Sequence, residues 1–116
     1  MRHEVTGADT AIALGSGDVP VLGTPRLIAW LEAATVEAAA ELLQAGETSV
    51  GTAIEVQHRA PTAVGGSVEV NVTERERDGK RLEFTVEAVD QDGTVVGAGR
   101  ITRAAVDRER FVASLS

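Results

Sequence analysis

Hydrophobic positions follow two rhythms along this chain. From Thr24 to Leu43, TPRLIAWLEAATVEAAAELL, they recur at helical spacing. At about 100° per residue, Leu27, Ile28, Leu31, Thr35, Ala38 and Leu42 gather on one stripe, the pattern of a helix laid against a core. Thr24 can cap the first free N–H groups, Pro25 suits the first helical position, where a missing N–H costs nothing, and Gly46 marks the stop. One carboxylate breaks the pattern. Arg26, Glu37 and Glu41 fall within an arc of roughly 60°, whereas Glu32 falls well away from them, flanked by Ile28, Val36, Ala39 and Leu43. Most such residues sit at the rim of an apolar stripe and reach out to water, and a minority are carboxylates of a functional site.

Elsewhere the rhythm is that of strands. Residues 8–14 read as a short first strand with Ile12 and Leu14 on one side, and 15–23, GSGDVPVLG, as a loop with apolar content leading into the helix, a lid or a packed connection. After the helix, GETSVGTAIEVQHRA alternates: Val50, Thr52, Ile54, Val56 and His58 on one face, Ser49, Gly51, Ala53, Glu55 and Gln57 on the other. His58 therefore lies on the apolar face, where a histidine is ordinarily satisfied by a backbone carbonyl. Pro61 ends regular pairing. SVEVNVTERER puts Val68, Val70 and Val72 inward, Asp78-Gly79 predicts a hairpin, RLEFTVEAVD puts Leu82, Phe84, Val86 and Ala88 inward, and TVVGAGRITRAAV follows a turn at Gln91-Asp92-Gly93. The last ten residues form a polar tail with Phe111 as its anchor. A strand, a long helix and four antiparallel strands with one oily face each predict an α+β domain over 1–116. Its expected architecture is the hotdog fold, an antiparallel five-stranded sheet wrapped around one long central helix. A ferredoxin-like domain needs a second helix, and the pattern offers none.

Composition narrows the function. The chain has 116 residues and no cysteine, which excludes disulfides, thiolate metal sites and cysteine nucleophiles. Its 18 acidic residues against 11 basic ones, net charge of −7 and pI near 4.7 argue against a surface that tracks nucleic-acid phosphates. No apolar run is long enough for a bilayer and MRHEVTGADT lacks a signal-peptide core, so a cytoplasmic protein with no membrane contact is expected. With two Phe, one Trp and no Tyr, the core rests on small aliphatic residues, and a second subunit covering part of the sheet would help it. Glycine-rich phosphate loops, dinucleotide fingerprints and nucleophile elbows are absent. His3 and His58 are the only histidines, so no metal site is expected. The reactive side chains that remain are Thr24, Glu32 and His58.

The runs VLGTPRLIAWLEAA, GETSVGTAIEVQHRAPTAVGGSVEV, DGKRLEFTVEAVDQ and DRERF resemble the fluoroacetyl-CoA thioesterase family of hotdog acyl-CoA hydrolases over residues 10–112. Thr24, Glu32 and His58 match the family's catalytic Thr, Glu and His, and Gly51 its glycine beside the active site. The resemblance implies a homodimer with acyl-CoA sites at the subunit interface and no cofactor beyond the coenzyme A of the substrate. His58 is then the base, Glu32 orients it or attacks the thioester, Thr24 holds the network or a water, and Gly51 gives a backbone N–H room beside the carbonyl. Members that select fluoroacetate carry aromatic residues in the loop before the helix. Here that loop holds Asp18, Val19 and Val21 and no aromatic, which implies a small or short-chain acyl group in general. Arg59, Lys80, Arg81, Arg103, Arg108 and Arg110 are the candidate cations for coenzyme A phosphates, Arg59 the one beside His58. The other readings are a non-catalytic acyl-CoA or small-molecule binding dimer and, last, a hydratase, whose usual Asn-Pro this chain lacks.

Overall fold

The computed structural model describes residues 1–116, and its four long strands fall where the alternation predicts them: β2 (Glu47–His58), β3 (Ser67–Asp78), β4 (Arg81–Asp90) and β5 (Val95–Asp107). A three-residue β1 (Arg2–Glu4) completes an antiparallel sheet in the order β1-β3-β4-β5-β2. One long helix, α2 (Thr24–Ala39), lies on its inner face. Leu27, Leu31, Ala34, Ala38 and Ala39 of the helix meet Val68, Val70, Leu82, Phe84, Val86, Ala88, Val96, Ile101 and Ala105 of the sheet. Thr35 is tolerated among them because its hydroxyl donates to the Glu32 carbonyl at 2.7 Å. The helix comes close over β5 at Gly97, where a Cβ would lie 2.9 Å from Leu27 Cδ2.

Several expectations are corrected. Residues 8–14 are not a strand: Gly7–Asp9 form one 3-10 turn and Ala11–Leu14 a single helical turn, α1. Thr10 starts that turn by accepting the Ala13 N–H at 3.2 Å, and Ile12 points to solvent. A run this short fits a strand and a helical turn equally well, and the cap decides. Thr24 does not cap α2. Gly23 holds the cap position, and Thr24 is already helical. The helix also ends at Ala39, earlier than Gly46 predicted, because its last turn tightens: Leu42 N–H donates to the Ala39 carbonyl at 2.8 Å. Arg77 then takes over, donating to the Leu42 carbonyl at 2.9 Å and to both carboxylate oxygens of Glu47 at 2.7 and 3.1 Å. The polar tail is partly helical, α3 (Arg108–Ala113), capped by Asp107, with Phe111 half-buried. No helix is long and apolar enough to cross a membrane.

Candidate active site

A β-bulge organises the site. In a regular strand Gly51 and His58, at odd spacing, face opposite ways. In β2, Gly51 pairs with Arg103 and Ala53 with Thr102, so Thr52 has no partner and the strand changes face there. Ile54, Val56 and His58 therefore share the inner face with Ser49 and Gly51, while Val50 turns outward; the uninterrupted alternation expected from sequence is wrong on its N-terminal side. Helix α2 runs along this inner face, with Thr24 over His58 and Glu32 over Gly51.

At the Thr24 end, the hydroxyl lies 2.7 Å from His58 Nδ1. Two proton arrangements fit: Thr24 donates to Nδ1 while Nε2 keeps the ring proton, or Nδ1–H donates to the hydroxyl. Burial pushes the His58 imidazole below its ordinary value, opposed in part by the backbone of Ala60. The ring is thus held neutral, the form a base requires, and Nε2 is shielded from solvent without a hydrogen-bond partner. A cavity of about 320 Å³ opens beside the pair, lined among others by Asp18, Val19, Val21, Thr24, His58 and Arg59. Its roof is pinned at one side, since Leu22 is buried and its N–H donates to the Thr62 carbonyl at 2.8 Å. Val19 on the arch before it is exposed. A groove of similar size between α2 and β3 contains none of Thr24, Glu32 or His58.

Glu32 stands apart from that pair. Thr24 and Glu32 are separated by roughly 12 Å along the axis at 1.5 Å per residue, and His58 makes its side-chain hydrogen bond to Thr24 alone. The Glu32 carboxylate instead overhangs Gly51, where a Cβ would lie 3.1 Å from its Oε2, and faces Arg103 Nη1 at 4.0 Å. Arg103 is only 7% exposed, which removes it from the expected set of surface cations for a coenzyme A phosphate. Burial lowers its pKa, Glu32 opposes that, and a guanidinium keeps its charge regardless. Its place was legible: Ile101, Arg103 and Ala105 have one parity, and both neighbours are core residues. Lys80, Arg81, Arg108 and Arg110 lie toward the Glu47 end of β2, the end away from His58, which leaves Arg59 at the cavity. No cluster of three His, Asp or Glu side chains is arranged to hold a metal ion.

A five-stranded antiparallel sheet around one long helix defines a hotdog fold. The model of the fluoroacetyl-CoA-specific thioesterase family, FlK, matches residues 5–109, and the chain belongs to that family. A point mutant of FlK solved in complex with fluoroacetate and CoA superposes with a TM-score of 0.87 at 32% identity, covering 99% of this chain and 94% of that one. A threonine-to-serine FlK mutant in complex with acetyl-CoA gives 0.87 at 31% identity, covering 99% and 90%. A thioesterase superfamily member from Thermus thermophilus shares the fold, with a TM-score of 0.90 at 24% identity over 99% and 85%. A search of curated proteins gave no significant match.

Proposed function

We propose that this chain hydrolyses a small or short-chain acyl-CoA to the free acid and CoA, at a site completed by a second copy of itself. The observation that carries the chemistry is the contact of 2.7 Å between Thr24 and the neutral, partly buried His58 at the mouth of the cavity. His58 takes a proton from the Thr24 hydroxyl, or from a water that the hydroxyl holds. The oxygen so activated adds to the thioester carbonyl, the C–S bond breaks, and the leaving thiolate of CoA receives the proton. If Thr24 itself attacks, a water activated in the same way releases the acid from the acyl-threonine. The unaromatic arch over the cavity, with Asp18, Val19 and Val21, suits small acyl groups without selecting fluoroacetate. Arg59 at its rim supplies a cation for a CoA phosphate.

The second copy follows from the separation of the two halves. β2 is an edge strand of 12 residues. Gly51–Glu55 are exposed along it, Ile54 among them, and Val36, one helical turn beyond Glu32 on α2, is exposed as well. A long free edge beside apolar surface favours pairing with another strand. Antiparallel pairing of two β2 strands about a twofold axis near Ile54 and Glu55 sets Gly51 of one protomer opposite His58 of the other. In that dimer each Thr24–His58 pair receives Glu32 and Arg103 from across the interface, a carboxylate to steady an imidazolium and a cation to meet the oxyanion.

Free-thiol release from acetyl-, fluoroacetyl-, propionyl-, butyryl- and phenylacetyl-CoA, with wild type and His58→Ala side by side, tests the reading. Turnover by the wild type should fall by roughly 10²- to 10⁴-fold in the variant, the usual worth of a positioned acid–base group. A folded wild type that binds these esters and releases no thiol from any of them would instead be a binding module.

A further inference from the structure

Arg103 is an expensive residue to place where it is. It takes the inward parity of Ile101 and Ala105 on β5, and an apolar side chain there would avoid the desolvation of a guanidinium. One edge of its fork rests on a single residue: Nε donates to Ser49 Oγ at 2.9 Å and Nη2 to the Ser49 carbonyl at 3.2 Å. The remaining nitrogen, Nη1, makes no hydrogen bond. It faces Glu32 Oε2 at 4.0 Å, beyond hydrogen-bond distance, over the place where Gly51 lacks a side chain. Ser49 and Gly51 reach this inner face together because both precede the bulge.

We propose that Ser49 is a positioning residue of the site. Two hydrogen bonds along one edge of a rigid planar group fix its plane, so Ser49 determines where Nη1 points and hence the charge that Glu32 faces. Nothing in the sheet requires the hydroxyl for strand pairing. Ser49 is already in register with Ala105 in the β2–β5 ladder, which any residue could maintain. The hydroxyl supplies the Nε contact alone. Without it the guanidinium is held only through Nη2 and can pivot about that point, carrying Nη1 away from Glu32. The inference rests on the thioesterase reading for its catalytic consequence, and on the Ser49–Arg103–Glu32 geometry for its structural one.

The test uses Ser49→Ala and Ser49→Thr, the second keeping a hydroxyl at the same position. In Ser49→Ala, kcat on the best acyl-CoA should fall roughly tenfold with little change in KM, as for loss of one hydrogen bond to a charged group; Ser49→Thr should restore it. Alongside, NMR should find the Arg103 Nε–H protected from exchange in wild type and Ser49→Thr and unprotected in Ser49→Ala, with the Glu32 side-chain ¹³Cδ signal moving only in Ser49→Ala. Wild-type kcat in Ser49→Ala, an unmoved Glu32 signal, or a rapidly exchanging Arg103 Nε–H in the wild type would each overturn the proposal. If the wild type hydrolyses no thioester, the thioesterase reading fails, and the Arg103 and Glu32 signals alone decide whether Ser49 positions them.

Discussion

Two inactive variants should restore activity when they share a dimer. His58→Ala destroys one half of the site and Glu32→Ala the other, and in the proposed dimer those halves come from different protomers. A mixed dimer then has one site carrying both lesions and one carrying neither. Random reassociation gives about half mixed dimers, each with one intact site of two, so turnover per chain should recover to about a quarter of wild type. Purifying mixed dimers through two different tags should raise this to about half. The parent variants lie orders of magnitude lower, so the recovery is easily read by thiol release. Thr24→Ala mixed with His58→Ala is the internal control: both lesions strike the same half, every site in their mixed dimer lacks one of the pair, and no recovery is expected. The geometric basis is the roughly 12 Å of helix between Thr24 and Glu32, with Glu32 committed to the Gly51–Arg103 end. Tag-verified mixed dimers of His58→Ala and Glu32→Ala without activity would refute the shared site and require Glu32 to reach His58 within one chain or to play no part.

Two further outcomes follow from the titrating groups. Because burial lowers the His58 pKa, the neutral base persists to lower pH than a free imidazole would; the acid limb of kcat/KM should lie below the ordinary histidine range and activity should be flat above it, as a pH–rate profile will check. A limb above that range would contradict the buried-base assignment. Glu47 is held down to about 2 from 4.5, chiefly by its hydrogen bonds from Arg77. A depressed carboxylate stabilises the fold above its unfolded-state value and loses that contribution as pH falls toward the folded one. Urea melts of wild type and Glu47→Gln should therefore differ at neutral pH and converge as pH drops from 4.5 toward 2, whereas a gap independent of pH would mean that the Arg77 contact stabilises by shape alone.

The features legible in sequence are those that repeat over many residues. Helix α2 declares itself through the stripe of Leu27, Leu31, Thr35 and Ala38, and β3 and β4 through valines and a phenylalanine at period two, each enforced by one buried face. Features settled by a single contact are less visible. Residues 11–14 offer too few positions to separate one helical turn from a strand, and the Thr10 hydroxyl decides between them. The end of α2 comes in a tightened last turn, Leu42 N–H to the Ala39 carbonyl, and the chain beyond it is held by Arg77, distant in sequence, which ties the Leu42 carbonyl to Glu47 where the sequence points to Gly46.

The same distinction governs the site. Thr24, Glu32, Gly51 and His58 were recognisable as residue types, and the expectation that they act together conflicts with strict alternation, which sends Gly51 and His58 to opposite faces. One unpaired residue, Thr52, resolves the conflict, and no composition signal marks it: Thr is as suitable for a regular strand as for a bulge. Its consequences extend to Arg103, whose buried charge makes sense once Ser49 and Gly51 are on its side of the sheet. The odd spacing of Gly51 and His58 was therefore information already present in the sequence. If both serve one site, β2 cannot be regular between them, and the structure places the irregularity at Thr52.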